Sequence, residues 1–243
     1  MRIDSHLHFT GEYTPDLLWP ILKRNRFEAG VLVGGGELLP LAAAEFIAAV
    51  VVEADLASPD LPYLLDGWQR HPKFRGVCYA FDGEPLPCGL AELARRGLTL
   101  DLPPRPHLVP PIAGRYPSLR LALDHVGRPS LMPQGFEEWA RGLETAAQHA
   151  PLCGKISGLI ADAPGGRWKA EDFRPVVRHA LRTLGPDRLM YGSDWPRYLP
   201  EGTWKEALAA FTQSIGAMPA EIREHLLGLT AARFYRIDPG SAA

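Results

Sequence analysis

The sequence predicts an α/β fold, a (β/α)8 barrel forming one domain over residues 1–243, on three observations. Eight short apolar runs read as strands, stretches of helical spacing separate most of them, and the residues capable of chemistry fall at or just beyond strand ends. The chain length suits one barrel-sized domain better than two ordinary ones.

The eight runs cover residues 2–9, 29–33, 48–52, 75–81, 98–102, 120–123, 153–156 and 188–191. Helical spacing is clearest over 130–149, 171–184 and 203–211. Strand and helix in alternation imply βαβ units around a parallel sheet, closed into a barrel or, as the alternative, left open and doubly wound. The strands crowd together in the first half, so some helices there are expected to be short or missing. Residues 34–46 and the Pro-rich 102–111 are each expected to be a loop with one turn of helix, and 203–236 to hold two helices that close the barrel. The expected fold is therefore a compact TIM barrel with shortened loops in its N-terminal half.

Composition narrows the function classes. The chain is 46% hydrophobic and 22% charged with a formal net charge of -2, and its basic residues are scattered among acidic ones, so a nucleic-acid partner is not expected. No run approaches a membrane span, and MRIDSHLHFT lacks an apolar core of signal-peptide length, so that segment is expected to stay in the mature protein. Cys78, Cys88 and Cys153 form neither a CxxC pair nor a disulfide framework, which suits a reducing cytoplasm. The expected partner is a small-molecule substrate, with a homo-oligomer left open.

Three motifs carry the chemistry. In the first run Asp4, His6 and His8 alternate with Ile3, Ser5, Leu7 and Phe9, so the two imidazoles share one side and suit a divalent metal; a lone HxH is equally well read as ordinary polar residues at a strand end. In LALDHVGRP an apolar run ends in Asp124 and His125, where barrel enzymes place catalytic groups and where a capping histidine would also sit. In DRLMYGSDWPRY the run ends in Gly192, Ser193 and Asp194; an acid there must be solvated, paired, metal-bound or catalytic, or else caps the next helix.

The ordered set IDSHLHF, LDHVGRP, KISGL, YGSDWP and LTAARFYR resembles the amidohydrolase-related metal-dependent hydrolases, and within them the lactonase branch that includes fuconolactonase, sulfomuconolactonase and pyrone-dicarboxylate lactonase. The resemblance is strong over residues 74–236 and rests before that on the first strand and the layout. It implies that His6, His8, His125 and Asp194 are the metal ligands, zinc being the expected ion, with Asp194 and His125 catalytic. The implied reaction is lactone hydrolysis by metal-assisted or Asp-assisted attack of water on a sugar-acid lactone or small catabolic cyclic ester. Some lactonases of this branch work without a metal. The alternatives are a decarboxylase built on the same cage and a catalytically idle ligand-binding barrel.

Arg75, Lys155, Trp195 and Arg197, on or just after predicted strands, are the candidate substrate contacts, each with a structural alternative as an ion pair or loop filler. Asp101 is expected to hydrogen-bond substrate or to form an internal ion pair, and His107 to lie in a surface loop. The chain departs from its relatives in reading FRGVC where they often read FRGVR, which makes a carboxylate-rich substrate less expected. Its first strand also ends HFT where many relatives carry a Trp after the second histidine, and the chain is short across 12–72, which should open or reshape the pocket. Cys78 lacks a histidine pattern for a nucleophile and reads as a small buried residue.

Overall fold

The computed structural model describes residues 1–79, 81, 85–129, 133–149, 152–161 and 168–238. Eight parallel strands pair in chain order: β1 Ile3–Leu7, β2 Ala29–Gly34, β3 Ile47–Glu53, β4 Phe74–Cys78, β5 Thr99–Leu102, β6 Arg120–Leu123, β7 Leu152–Ile156 and β8 Leu189–Tyr191. Parallel neighbours require crossovers, which are the helices α1 Pro15–Arg24, α2 Leu61–Trp68, α3 Gly89–Arg96, α4 Val109–Arg115, α5 Pro133–Ala147 and α6 Ala170–Leu184. Residue 130, the expected start of α5, and residue 80 in the expected fourth strand lie outside the described residues.

The first half is compact in the expected way. The β2–β3 connection is only a 3-10 helix, Gly36–Ala43, and the β5–β6 connection is a 3-10 turn, Pro106–Leu108, running into the short α4. After β8 come α7 Trp204–Ile215, α8 Ala220–Glu224, a π-helical turn His225–Leu229 and α9 Thr230–Tyr235, so the second expected closing helix is broken into segments. Among the described residues no helix is long and apolar enough to cross a membrane.

Two apolar layers fix this arrangement. Inside the barrel Ile3, Val31, Val51, Ala122, Cys153 and Met190 pack together, and Phe234, Tyr235 and Ile237 at and after α9 plug the end where the strands begin. Outside, Leu7, Leu32, Val50, Leu100 and Leu121 meet the helices. The other end of the interior is polar, with His6, Asp101 and Lys155 contributed by the odd strands β1, β5 and β7.

The circle closes between β1 and the chain just after β8. Leu7 bridges to Trp195, His8 N–H donates to Trp195 O at 2.8 Å, and Asp194 N–H donates to His6 O at 2.8 Å. Gly192 is needed at this seam, because a Cβ there would lie 2.6 Å from His6 Cβ. The β1–β2 register slips between Asp4 and Leu7, a bulge that reverses the simple alternation. Asp4 is therefore not on the face of the two histidines. Its carboxylate lies against α7, accepting from Trp204 Nε1–H at 3.2 Å and from Ser193 N–H at 2.8 Å, while His6 faces the barrel interior. Burial pushes the Asp4 carboxyl up to about 6 against these hydrogen bonds.

Asp4→Ala strands the Trp204 and Ser193 donors, and we expect a loss of about 3 kcal/mol in urea unfolding. A midpoint equal to wild type would remove Asp4 from the closure.

Candidate active site

The site lies at the C-terminal ends of the strands, in a cavity of about 430 Å³ lined by His6, His8, Asp124, His125 and Arg197 among others. β1 supplies His6 and, one residue beyond its end, His8. The turn after β6 supplies His125, and the seam after β8 supplies Asp194. Left-handed backbone marks both of these turns: φ is 50° at His125, 44° at Val126, 51° at Arg128 and 63° at Asp194. Outside glycine such angles cost on the order of 1–3 kcal/mol each, and a β-branched residue such as Val126 tolerates them poorly. The first turn is held by Trp139 Nε1–H on Val126 O at 2.7 Å, the second by the hydrogen bond from Asp194 to β1.

The three sets of donor atoms converge. His6 Nε2 and His8 Nε2 are 3.2 Å apart, and Asp194 Oδ1 lies 3.7 Å from the first and 3.4 Å from the second. Asp194 Oδ1 is buried with no hydrogen-bond partner, a costly state unless a cation, a proton or water shares the space. Ligand atoms about 2.0–2.1 Å from a tetrahedral zinc stand about 3.3 Å from one another, so this trio fits such an ion. His8 Nδ1 is 2.7 Å from Val33 O and donates to it, which turns the Nε2 lone pair inward. His125 stands beside the trio, 5.1 Å ring to ring from His6, with Nδ1 2.9 Å from Ser157 Oγ. Only His6, His8 and Asp194 offer ligand atoms within 4.8 Å of one another among the described residues, so His125 is a neighbour of that cluster instead of a member.

Behind His6 is a charge network buried except at Asp124, which reaches the cavity. Lys155 Nζ lies 2.5 Å from Asp101 Oδ2, 2.9 Å from Asp124 Oδ1 and 2.9 Å from His6 Nδ1, and Tyr235 O–H donates to Asp101 Oδ2 at 2.8 Å. Burial works to lower the Lys155 pKa, but Asp101 and Asp124 outweigh it and hold the group above its usual value, so it is an ammonium. An ammonium only donates, so in the metal-free site His6 Nδ1 accepts and the imidazole proton stands on Nε2, toward His8; a cation held by Nε2 has to displace that proton. Burial, then the charge of Lys155, keeps His6 neutral by lowering its pKa well below the ordinary value.

Several sequence-derived assignments are corrected. Arg75 begins β4, so it sits at the opposite end of the barrel and its Nη1 caps the carbonyls of Pro72 and Phe74. Lys155 is sealed behind His6 and cannot meet substrate, because its strand position directs it into the barrel interior. Trp195 is buried against Phe9 and Tyr13, edge to face at 5.8 and 5.5 Å, and backs the wall of the site. Arg197 does line the cavity. Asp101 is an internal ion pair, His107 is exposed on its 3-10 turn, and burial pushes the Cys78 thiol far up, as expected of an inert residue. Glu37, Glu53, Tyr79 and Arg128, which line the cavity, were missed. Glu53 ends β3 and Tyr79 follows β4, so the strand-end rule applied to every strand would have found them.

A parallel barrel with its paired histidines at the end of β1 and an aspartate after β8 defines a barrel hydrolase. The chain belongs to the amidohydrolase family, whose sequence model matches residues 89–237. It is 30% identical to an L-fucono-1,5-lactonase of Burkholderia multivorans across 100% of this chain and 98% of the relative, and 29% identical to another from Burkholderia ambifaria across 98% and 96%. The second alignment runs over 282 positions against 243 residues here, so that relative carries segments this chain lacks. A crystal structure of an amidohydrolase from Burkholderia multivorans with bound zinc superposes with a TM-score of 0.86 at 30% identity, covering 98% of this chain and 100% of that one.

Lys155→Ala leaves Asp101 and Asp124 buried without their cation, and we expect it to destabilise the fold by about 3–5 kcal/mol. Wild-type stability on thermal unfolding would show that the network is not held by this charge.

Proposed function

We propose that this chain is a lactone hydrolase that opens the cyclic ester of a sugar acid, with L-fucono-1,5-lactone the first substrate to test. The observation that carries the reading is the buried, unpartnered Asp194 Oδ1 aimed at His6 and His8 on the floor of the cavity, in a chain aligned end to end with two L-fucono-1,5-lactonases. The decarboxylase and idle-barrel alternatives are not favoured by these whole-chain relatives.

His6, His8 and Asp194 would hold a divalent cation, zinc by its preference for imidazole and carboxylate ligands, and when bound it polarises a carbonyl and acidifies water. Asp194 acts as the base: it takes a proton from water as the water oxygen bonds to the acyl carbon. It then delivers that proton to the ring oxygen as the acyl–oxygen bond breaks. The leaving alkoxide stays tethered to the product, so one carboxylate serves as base and then acid. His125 Nδ1 is occupied by Ser157, which leaves its Nε2 for water or substrate. Lys155, itself held by Asp124, fixes the orientation of His6 from behind, and Val33 O fixes that of His8.

Asp194→Asn should lower kcat for L-fucono-1,5-lactone by about two to four orders of magnitude with thermal unfolding unchanged, read by a pH-indicator assay. An active Asn variant would remove Asp194 as the proton carrier. Replacing His6 and His8 together with Ala should leave the purified protein without zinc by elemental analysis, and unchanged zinc content would place the ion elsewhere. Chelation should silence the wild type and added zinc restore it; full activity in chelator would assign the chemistry to the side chains alone.

A further inference from the structure

The turns after β6 and β8 repeat one design. Each begins at a site residue in left-handed backbone, His125 with φ 50° and Asp194 with φ 63°. Three residues later each carries an arginine whose N–H returns to the carbonyl of that site residue, Arg128 to His125 O at 2.8 Å and Arg197 to Asp194 O at 2.9 Å. The sequences HVGR and DWPR share little else, yet both arginines line the main cavity and also a side cavity of about 160 Å³ that His125, Gly158, Ala161 and Asp194 complete.

That side cavity adjoins the second oxygen of the catalytic carboxylate. Asp194 Oδ1 faces the two histidines, whereas Oδ2 borders Gly158, where an added Cβ would come within 3.1 Å of Oδ2 and 3.0 Å of His125 Nδ1. Gly158, at φ +65°, therefore keeps open the space between the carboxylate and the arginines. Across the main cavity the lining is acidic: Glu37 follows β2 and Glu53 ends β3, on the side of the barrel facing β6 and β7 in the eight-strand order. A developing anion is repelled there and drawn to the arginines, whereas sugar hydroxyls can donate to the glutamates.

Resting on the lactone-hydrolase reading, we propose that Arg128 and Arg197 form the acyl-side anchor of the substrate. They hold the lactone carbonyl oxygen and then the carboxylate that ring opening creates, with the hydroxyl-bearing end lying toward Glu37 and Glu53. Planar guanidinium forks match a carboxylate, and the group they bind gains its full charge only as the ester opens.

The test is calorimetric binding of L-fuconate, the opened acid, and of L-fucitol, which has the same hydroxyl chain without the carboxylate. Wild type, Arg128→Gln, Arg197→Gln and Arg128→Lys are compared with chelator and again with zinc. Wild type should prefer the acid by about tenfold or more, each Gln variant should lose most of that preference with fucitol binding unchanged, and the Lys variant should fall between. Equal preference in wild type and both Gln variants, or none in wild type, overturns the proposal. Binding needs no turnover: a protein that prefers the acid through its arginines yet opens no lactone sinks the hydrolase reading alone, and a lactonase whose acid binding ignores both arginines sinks the anchor alone.

Discussion

Two backbone hydrogen bonds between β1 and the chain after β8 close the barrel and assemble the site in the same act. Asp194 N–H on His6 O and His8 N–H on Trp195 O set the carboxylate and the imidazole pair against each other before any side-chain interaction is counted. Because these bonds belong to the sheet closure, the relative position of the three groups is as rigid as the barrel itself. Asp4 reinforces them from outside, joining β1 to Ser193 and to Trp204 on α7. The approach is close enough that only a glycine fits at 192.

The second constraint is charge in a dry interior. His6 is oriented from behind by Lys155, which is neutralised by Asp101 and Asp124, and Asp101 is held in turn by Tyr235 of α9 at the far end of the strands. Desolvating these groups opposes folding, and the geometry must satisfy nearly every one of them for the arrangement to persist. The result is a ladder of contacts that ties the plug of the barrel to the face of one imidazole. Strained backbone at His125, Val126, Arg128 and Asp194 sits on the same side, held in place by Trp139 and the seam.

Much of this was legible in the chain. Runs of apolar residues with turn formers between them located all eight strands, the crowding of the first half predicted the short connection at Gly36–Ala43, and the prolines of 102–111 predicted the turn at Pro106–Leu108. His6, His8 and Asp194 lie where strand ends expose what a strand carries, and they do come together, with His125 beside them. The misassignments share one cause. Arg75 and Lys155 were known to be on strands, but periodicity does not tell which end of a strand faces the site or how deep a residue sits. Strict alternation would put Asp4 on the histidine face, but alternation holds only in an unbroken register, and the bulge before Leu7 breaks it.

The sequence by itself determined the class of the fold and the identity of the chemical groups, because hydrophobic periodicity and residue type are local properties. Only the tertiary structure decided which groups meet. Whether Lys155 binds substrate or orients His6 depends on burial, and whether Arg128 joins Arg197 depends on two turns separated by more than sixty residues folding to the same shape around one cavity. Distances across a closed barrel are set by its seam and its packing, and no stretch of sequence contains both sides of a seam.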